Sequence, residues 1–245
     1  MENYLTSFFV SDLHFGLLDS KNEKLREESF VEFLKFCNGR IDKLFILGDL
    51  FDYWFEYKRV VQKGYFKTFT AINDLVKNNI EVHYFIGNHD FMHRDFFEKE
   101  IGTILYEDAA QFEIDGKKFF LGHGDGLVEN DLGYNILKKI LRNKSIQKLY
   151  SLLHPDFGIW LASSSSRKSR DYTTEKSYGQ KDGLYEAAKK KIDQGYDYVL
   201  FGHTHIRKVE DYKNGKYINL GTWLNQPCYG KFENGNFEII DWNNK

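Results

Sequence analysis

The sequence predicts a layered α/β fold, and three observations carry that prediction. Short apolar runs rich in aromatic and branched residues recur along the 245 residues. Helical patterns separate them, and five of the runs end in a similar way, on Gly, Asp, Asn or His. Phe8-Phe9-Val10 reads as the first buried strand, followed by Leu44 to Leu47, Val82 to Ile86, Phe119 to Leu121, Tyr198 to Phe201 and Tyr217 to Leu220. A helix is expected over about Glu23 to Cys37, with Leu25, Phe30, Phe33, Leu34 and Cys37 on one side. A second spans about Val60 to Lys77, apolar at Val61, Phe66, Phe69, Ile72, Leu75 and Val76. A third covers about Gly183 to Asp193, where Leu184, Ala187, Ala188, Lys191 and Ile192 keep helical spacing. Strand–helix–strand alternation places helices on both sheet faces. Near the C-terminus, Lys213-Asn214-Gly215-Lys216 and Glu233-Asn234-Gly235-Asn236 set Asn-Gly turns between alternating segments, so hairpins are expected there.

Composition bounds the function. The hydrophobic fraction of 42% and charged fraction of 29% are those of a globular protein and exclude disorder. Thirty-four basic against 36 acidic residues give a net charge of −2, so the chain is no polyanion binder and no nucleic-acid partner is expected. Cys37 and Cys228 stand far apart, which suits a reducing compartment and excludes a cysteine-based zinc site. The start lacks a basic segment, and no apolar run approaches 18 residues. A cytoplasmic location is expected, with contact on the cytoplasmic face of a membrane left open.

One region breaks the alternation, roughly Gly126 to Tyr178. It holds 9 Lys and Arg against 5 Asp and Glu, while the rest of the chain is net negative. Ile136, Leu137, Ile140, Leu141, Leu149, Leu152, Leu153, Phe157, Ile159, Trp160 and Leu161 repeat at helical spacing, with Lys138, Lys139, Arg142, Lys144 and Lys148 between them. This reads as a helical cap over 126–178, inserted into a core formed by 1–125 and 179–245. An apolar and basic lid of this kind can take an acyl chain and an anionic headgroup together. Most amphipathic helices, however, simply pack their apolar face on the main domain.

Five strand ends carry the chemistry: Ser11-Asp12-Leu13-His14, Gly48-Asp49-Leu50-Phe51-Asp52, Gly87-Asn88-His89-Asp90, Gly122-His123-Gly124-Asp125 and Gly202-His203-Thr204-His205. In an open α/β sheet the carboxyl ends of the strands share one edge, where ligands bind. Glycine before four of these groups lets the chain turn sharply and approach the centre. Asp12, His14, Asp49, Asn88, His123, His203 and His205 are too many oxygen and nitrogen donors for one ion. Two divalent ions about 3.5–4 Å apart resolve the count, because an Asp can bridge them. Carboxylate, amide and imidazole without thiolate suit Mn²⁺, Fe²⁺ or Zn²⁺. Any one of these motifs alone could be a turn or a surface histidine; five at five strand ends are not.

These motifs, in this order, resemble the calcineurin-like metallophosphoesterase superfamily on both sides of the insert. The resemblance implies a four-layer α/β sandwich, two central mixed sheets flanked by helices, around a dinuclear centre. It implies that Asp12, His14 and His205 hold one ion, that Asn88, His123 and His203 hold the other, and that Asp49 bridges. His89 would stand outside the metal shell as the catalytic group acting on the leaving group or the transition-state charge, with Mn²⁺ the expected ion. Within the superfamily the chain is similar to the UDP-2,3-diacylglucosamine diphosphatase branch, which acts in lipid A synthesis. The shared features are Ser11-Asp12-Leu13-His14-Phe15-Gly16, Gly48-Asp49-Leu50-Phe51-Asp52 with Trp54 close behind, His123-Gly124-Asp125, the insert, and Leu220-Gly221-Thr222-Trp223. That branch implies substrate contacts at Asn88, His89, Asp131, Ser166, Arg170 and His203, and a UDP-linked acylated sugar cleaved to UMP and a diacylglucosamine 1-phosphate. It also implies transient membrane contact, and leaves the oligomeric state open. The chain departs from the branch where His89, not Arg, follows Asn88. A phosphoesterase for soluble nucleotides, phosphoproteins or phosphodiesters is the alternative, and such substrates need no apolar lid. A non-catalytic scaffold would have lost ligands or His89, and all eight positions are present.

Overall fold

Strands buried on both faces carry the architecture, in a computed structural model that describes residues 5–17, 19–127, 138–161 and 183–243. β1 (Ser7–Val10), β2 (Lys43–Ile46), β3 (Glu81–Phe85) and β4 (Ile104–Tyr106) run parallel in one sheet, which β10 (Cys228–Glu233) and β11 (Asn236–Asp241) complete in the order β11-β10-β1-β2-β3-β4. The second sheet has the order β5-β6-β7-β9-β8, from β5 (Ala110–Ile114), β6 (Lys117–Leu121), β7 (Tyr198–Phe201), β8 (Arg207–Tyr212) and β9 (Gly215–Leu220). Both sheets are mixed: β6, β7 and β9 are parallel, while β5 and β8 add antiparallel edges.

The period of two along each strand sorts the core into layers. Phe8, Val10, Leu44, Ile46, Val82 and Tyr84 face α1 (Ser20–Cys37) and α2 (Phe66–Lys77). The alternate residues Phe9, Phe45 and Phe85 meet Phe119, Leu121, Leu200 and Ile218 of the other sheet. Beyond that sheet, Leu184, Ala188 and Ile192 of the helix at Gly183–Asp193 cover Phe120, Val199, Phe201 and Tyr217. The result is the four-layer sandwich, helix–sheet–sheet–helix. Phe9 stacks on Phe45 at 4.9 Å and on Phe119 at 6.0 Å, so one ring ties both sheets, a burial that stabilises by about 1.5–3 kcal/mol.

Several element bounds differ from expectation, each for a local reason. α1 starts at Ser20, because the Asp19 carboxylate accepts from the N–H groups of Lys21 and Asn22 at 3.1 and 3.2 Å. Leu25 lies on its exposed side. α2 starts only at Phe66, since Gly64 has φ +117° and no helix passes through that conformation. Phe66 and Val61 are consequently exposed. The Asn234-Gly235 hairpin forms as expected, with both residues at positive φ (53° and 78°). In the other hairpin Gly215 already pairs with Tyr212, so the loop is Lys213-Asn214.

The described part of the region expected to form a cap is residues 138–161. It contains helical turns at 138–141 and 155–161 and the helix α3 (Lys144–Tyr150), capped by the Asn143 side chain. Tyr150 anchors it: the ring lies 4.8 Å from Phe55, the hydroxyl donates to the Gly158 carbonyl at 2.5 Å, and Tyr53 OH is 3.3 Å away. Lys138 Nζ reaches Asp125 Oδ2 at 2.6 Å. Leu149, Leu152, Phe157 and Trp160 remain exposed. Residues 128–137 and 162–182 lie outside the described residues.

Candidate metal centre

Every ligand-bearing loop follows a strand that is parallel within its sheet, β1, β2 and β3 on one side and β6 and β7 on the other. The loops therefore leave from one edge. Asp12, His14, Asp49, His203 and His205 all have positive φ, between 51° and 71°. Non-glycine residues rarely adopt this conformation, and it costs about 1–3 kcal/mol per residue. Surrounding contacts hold it. Ser11 Oγ donates to Asp12 Oδ2, while Thr222 Oγ1 and the Trp223 N–H donate to the Asp12 carbonyl at 2.9 and 3.2 Å. The Asn219 amide donates to the Gly202 carbonyl at 2.6 Å. Asp90 fixes the third loop to the second: one carboxylate oxygen accepts from Gly87 N–H and the other from Leu50 N–H, both at 2.8 Å, and Tyr84 OH also donates to it. The glycines mostly supply room. A Cβ on Gly48 would lie 2.5 Å from His123 Nδ1, and one on Gly87 would collide with Asp49. The sharp turning falls mostly on the ligand residues themselves, joined by Gly48 at φ +90°.

The side chains converge. His14 Nε2 and His205 Nε2 are 2.9 Å apart, with Asp12 Oδ1 at 3.7 and 3.3 Å from them. Asn88 Oδ1 lies 2.9 Å from His123 Nε2 and 2.8 Å from His203 Nδ1. Asp49 stands between the two groups, its Oδ2 at 3.7 Å from His14 Nε2 and 3.2 Å from His123 Nε2. The seven residues expected as ligands are thus brought together. His89 is near them: its Nδ1–H donates to the Asp52 carbonyl at 3.1 Å, and its own N–H donates to Asp49 Oδ1 at 2.9 Å. One His89 ring nitrogen also lies within 4.8 Å of ligand atoms of His14 and Asp49. Asp131, Ser166 and Arg170 lie outside the described residues.

The electrostatics match a cation site. Burial alone would push His14 down, yet Asp12, Asp52 and Asp49 outweigh it and hold it up at about 9. Burial is likewise overcome at His123, which Asp49, Asp12 and Asp125 raise to about 10. Asp12 and Asp49 resist their burial through those same histidines and sit well below the usual carboxylate range. His203 is driven down to about 4 by burial and by the charge of His123. Without metal, protons on two imidazoles neutralise the carboxylates, so dications would take the place of those protons. Two sets of hard and borderline donors that share Asp49 fit two divalent ions.

Two residues inside the motifs carry more than the sequence reading assigned. Asp52 Oδ1 approaches both His14 Nδ1 and His89 Nδ1 at 3.6 Å, and Asp90 clamps two loops. Their presence in Gly-Asp-x-x-Asp and Gly-Asn-His-Asp was the available signal. Buried Glu56 gave none: it accepts N–H bonds from Arg94, Asp95 and Phe96 at 2.7–3.2 Å and holds the chain just past His89.

Comparison with known proteins agrees with this geometry. A profile of the calcineurin-like phosphoesterases matches residues 5–207. UDP-2,3-diacylglucosamine hydrolase of Porphyromonas gingivalis is 27% identical over 92% of this chain and 93% of its own. The enzyme of the same name from Haemophilus influenzae is 28% identical over 89% of this chain and 90% of its own. That from Photorhabdus laumondii is 27% identical over 97% and 99%.

Proposed function

Because this chain belongs to the calcineurin-like phosphoesterase family, we propose that it hydrolyses the diphosphate of UDP-2,3-diacylglucosamine, releasing UMP and 2,3-diacylglucosamine 1-phosphate. The observation that carries the hydrolase reading is Asp49 between two histidine-rich donor sets. The relatives, aligned almost end to end, support the substrate. Asp12, His14 and His205 would hold one ion, Asn88, His123 and His203 the other, and Asp49 both, with Mn²⁺ the expected metal and Fe²⁺ or Zn²⁺ the alternatives. Two divalent ions there supply positive charge for the phosphoryl oxygens and lower the pKa of water.

The protein's own groups do the rest. A water oxygen forms the new bond to phosphorus and gives up a proton, the diphosphate P–O bond breaks, and the departing phosphate oxygen, left with negative charge, is where a proton can return. His89 is oriented by its Nδ1–H bond to the Asp52 carbonyl, and in its protonated form Nε2–H is the donor that would meet the leaving oxygen. Hydrogen bonds from Leu50 and Gly87 N–H to Asp90 keep the Asp49 loop against the Asn88-His89 loop. The region 126–178 acts as a cap on a core of 1–125 and 179–245, with Asp131, Ser166 and Arg170 as further substrate contacts. Exposed Leu149, Leu152, Phe157 and Trp160 beside Lys144 and Lys148 suit an acylated substrate presented at a membrane surface. Among the described residues no helix is long and apolar enough to cross a membrane.

The test is direct. Incubated with Mn²⁺ and UDP-2,3-diacylglucosamine, the protein should release UMP, measured by chromatography, and chelation should abolish the release. Hydrolysis of a small chromogenic phosphodiester with no release of UMP would favour a phosphoesterase for soluble substrates.

A further inference from the structure

A cavity of about 560 Å³ lies between the 55–58 stretch, the 91–94 stretch and α3, and it shares no residue with the metal centre. Its floor is apolar, from Phe55, Ile86 and Met92, all buried. Its walls carry five cationic side chains, Lys58, Arg94, Arg142, Lys144 and Lys148, against two carboxylates, Glu56 and Glu107. Glu56 is already engaged, since its two oxygens accept from Trp54 Nε1 at 3.1 Å and from three backbone N–H groups. Lys58, Arg94, Lys144 and Lys148 have no ion-pair partner among the described residues. Like charges converging on one concave surface repel, and an anion bound between them removes that repulsion.

One buried group at the wall points the same way. The Arg142 Nη2 atom is buried without a hydrogen-bond acceptor; its nearest carboxylate oxygen, on Asp125, is 3.6 Å away. Buried polar groups are normally satisfied, so this guanidinium leaves a donor that a ligand's oxygen can take up. A carboxylate would bring one negative charge to five cations. A phosphate brings up to two on a tetrahedral group that a guanidinium grips with two parallel hydrogen bonds.

We propose that this cavity is a phosphate-binding site, separate from the metal centre, in which Arg94, Arg142 and Lys148 hold the phosphate. The phosphate can be free in solution, or it can be the headgroup of an anionic lipid whose chain lies along exposed Leu149 and Leu152 of the neighbouring segment. This site does not depend on the substrate assigned above.

The test uses the full, Mn²⁺-loaded chain and a double variant, Arg94→Ala with Lys148→Ala, at two exposed positions. In one arm, inorganic phosphate is titrated calorimetrically. Wild type should bind one phosphate more than the metal centre accounts for, and the variant should bind that phosphate at least tenfold more weakly. In the other arm, sedimentation is measured with phosphatidylcholine vesicles with and without phosphatidylglycerol. If the source is lipid, the gain that phosphatidylglycerol gives wild type is lost in the variant. A control, Lys77→Ala with Lys118→Ala, changes net charge equally at exposed sites elsewhere and should behave as wild type. Identical isotherms and identical sedimentation for wild type and the cavity variant overturn the proposal. An equal loss in the control overturns it too, by assigning the effect to bulk charge.

Discussion

At the scale of single residues, the centre depends on a few side chains held in uncommon backbone conformations. Asp49 is 1% exposed and approaches histidines of both donor sets, so its removal strips charge from both. Asp49→Ala should therefore lower metal content from two ions per chain toward none, measured by elemental analysis; a variant that retains close to two would show that Asp49 is no bridge. His89 should separate from the metals. As a group outside the metal shell, His89→Ala keeps both ions while kcat falls by about 10²–10⁴. Loss of an ion together with activity would make it a ligand, a role that its approach to His14 and Asp49 makes worth measuring. The identity of these residues was legible in the sequence, because Asp, Asn and His at five strand ends have no common structural use. Their backbone was not. Positive φ at Asp12, His14, Asp49, His203 and His205 arises from tertiary contacts such as Thr222 and Trp223 on the Asp12 carbonyl, far away along the chain.

At the scale of elements, buried strands and the helix at Gly183–Asp193 follow from period and composition, whereas the pieces that differ from expectation are those that packing decides. The sheet edges gave little signal: β4 is three residues long, and β5 alternates polar and apolar residues at a sheet edge, closed by an Asp115-Gly116 turn that the sequence reading passed over. The start of α2 hinged on Gly64, a single residue inside an otherwise helical pattern. The short helical turn Phe97–Ile101 has another kind of origin, since its preceding N–H groups at Arg94, Asp95 and Phe96 all donate to Glu56 Oε2. Burial by itself would raise Glu56, but His93, Trp54 and those N–H groups hold it below the usual carboxylate range. A carboxylate lowered on folding stabilises fully above its unfolded value, about 4.3, and that contribution disappears as pH falls through the lower folded value. Glu56→Gln should thus destabilise by about 1–3 kcal/mol at pH 7. In thermal melts run from pH 7 downward, the gap to wild type should narrow below about pH 4; a gap independent of pH would mean that the ionised carboxylate is not what holds this turn.

At the scale of the whole molecule, two sheets bring motifs from distant parts of the chain to one edge, and the described segment 138–161 reaches Asp125 beside that edge through Lys138 and Arg142. The four layers were legible because strands with both faces apolar must be covered twice, and Phe9, Phe45 and Phe85 alternate with residues that meet α1 and α2. The insert's role was less legible, since a helical apolar pattern reads the same whether it packs inward or greets a ligand. Its described part does some of each: Tyr150 and Ile159 pack on Phe55 and Met92, while Leu149, Leu152, Phe157 and Trp160 stay exposed. If this surface receives an acyl chain, each buried CH₂ contributes about 0.8 kcal/mol to binding. Charging it, by Trp160→Asp or Leu152→Glu, should then lower kcat/KM for UDP-2,3-diacylglucosamine by tenfold or more, about 1.4 kcal/mol, chiefly through KM. A small chromogenic phosphodiester needs only the metals and His89, so its kcat/KM should barely change. The ratio of the two values, variant against wild type, is the measurement, with thermal melts to check folding. Equal losses on both substrates would make the insert a structural element and put the phosphoesterase of soluble substrates ahead. A loss confined to the long-chain substrate would identify the insert as the part of the molecule that distinguishes a lipid-linked diphosphate from a soluble one.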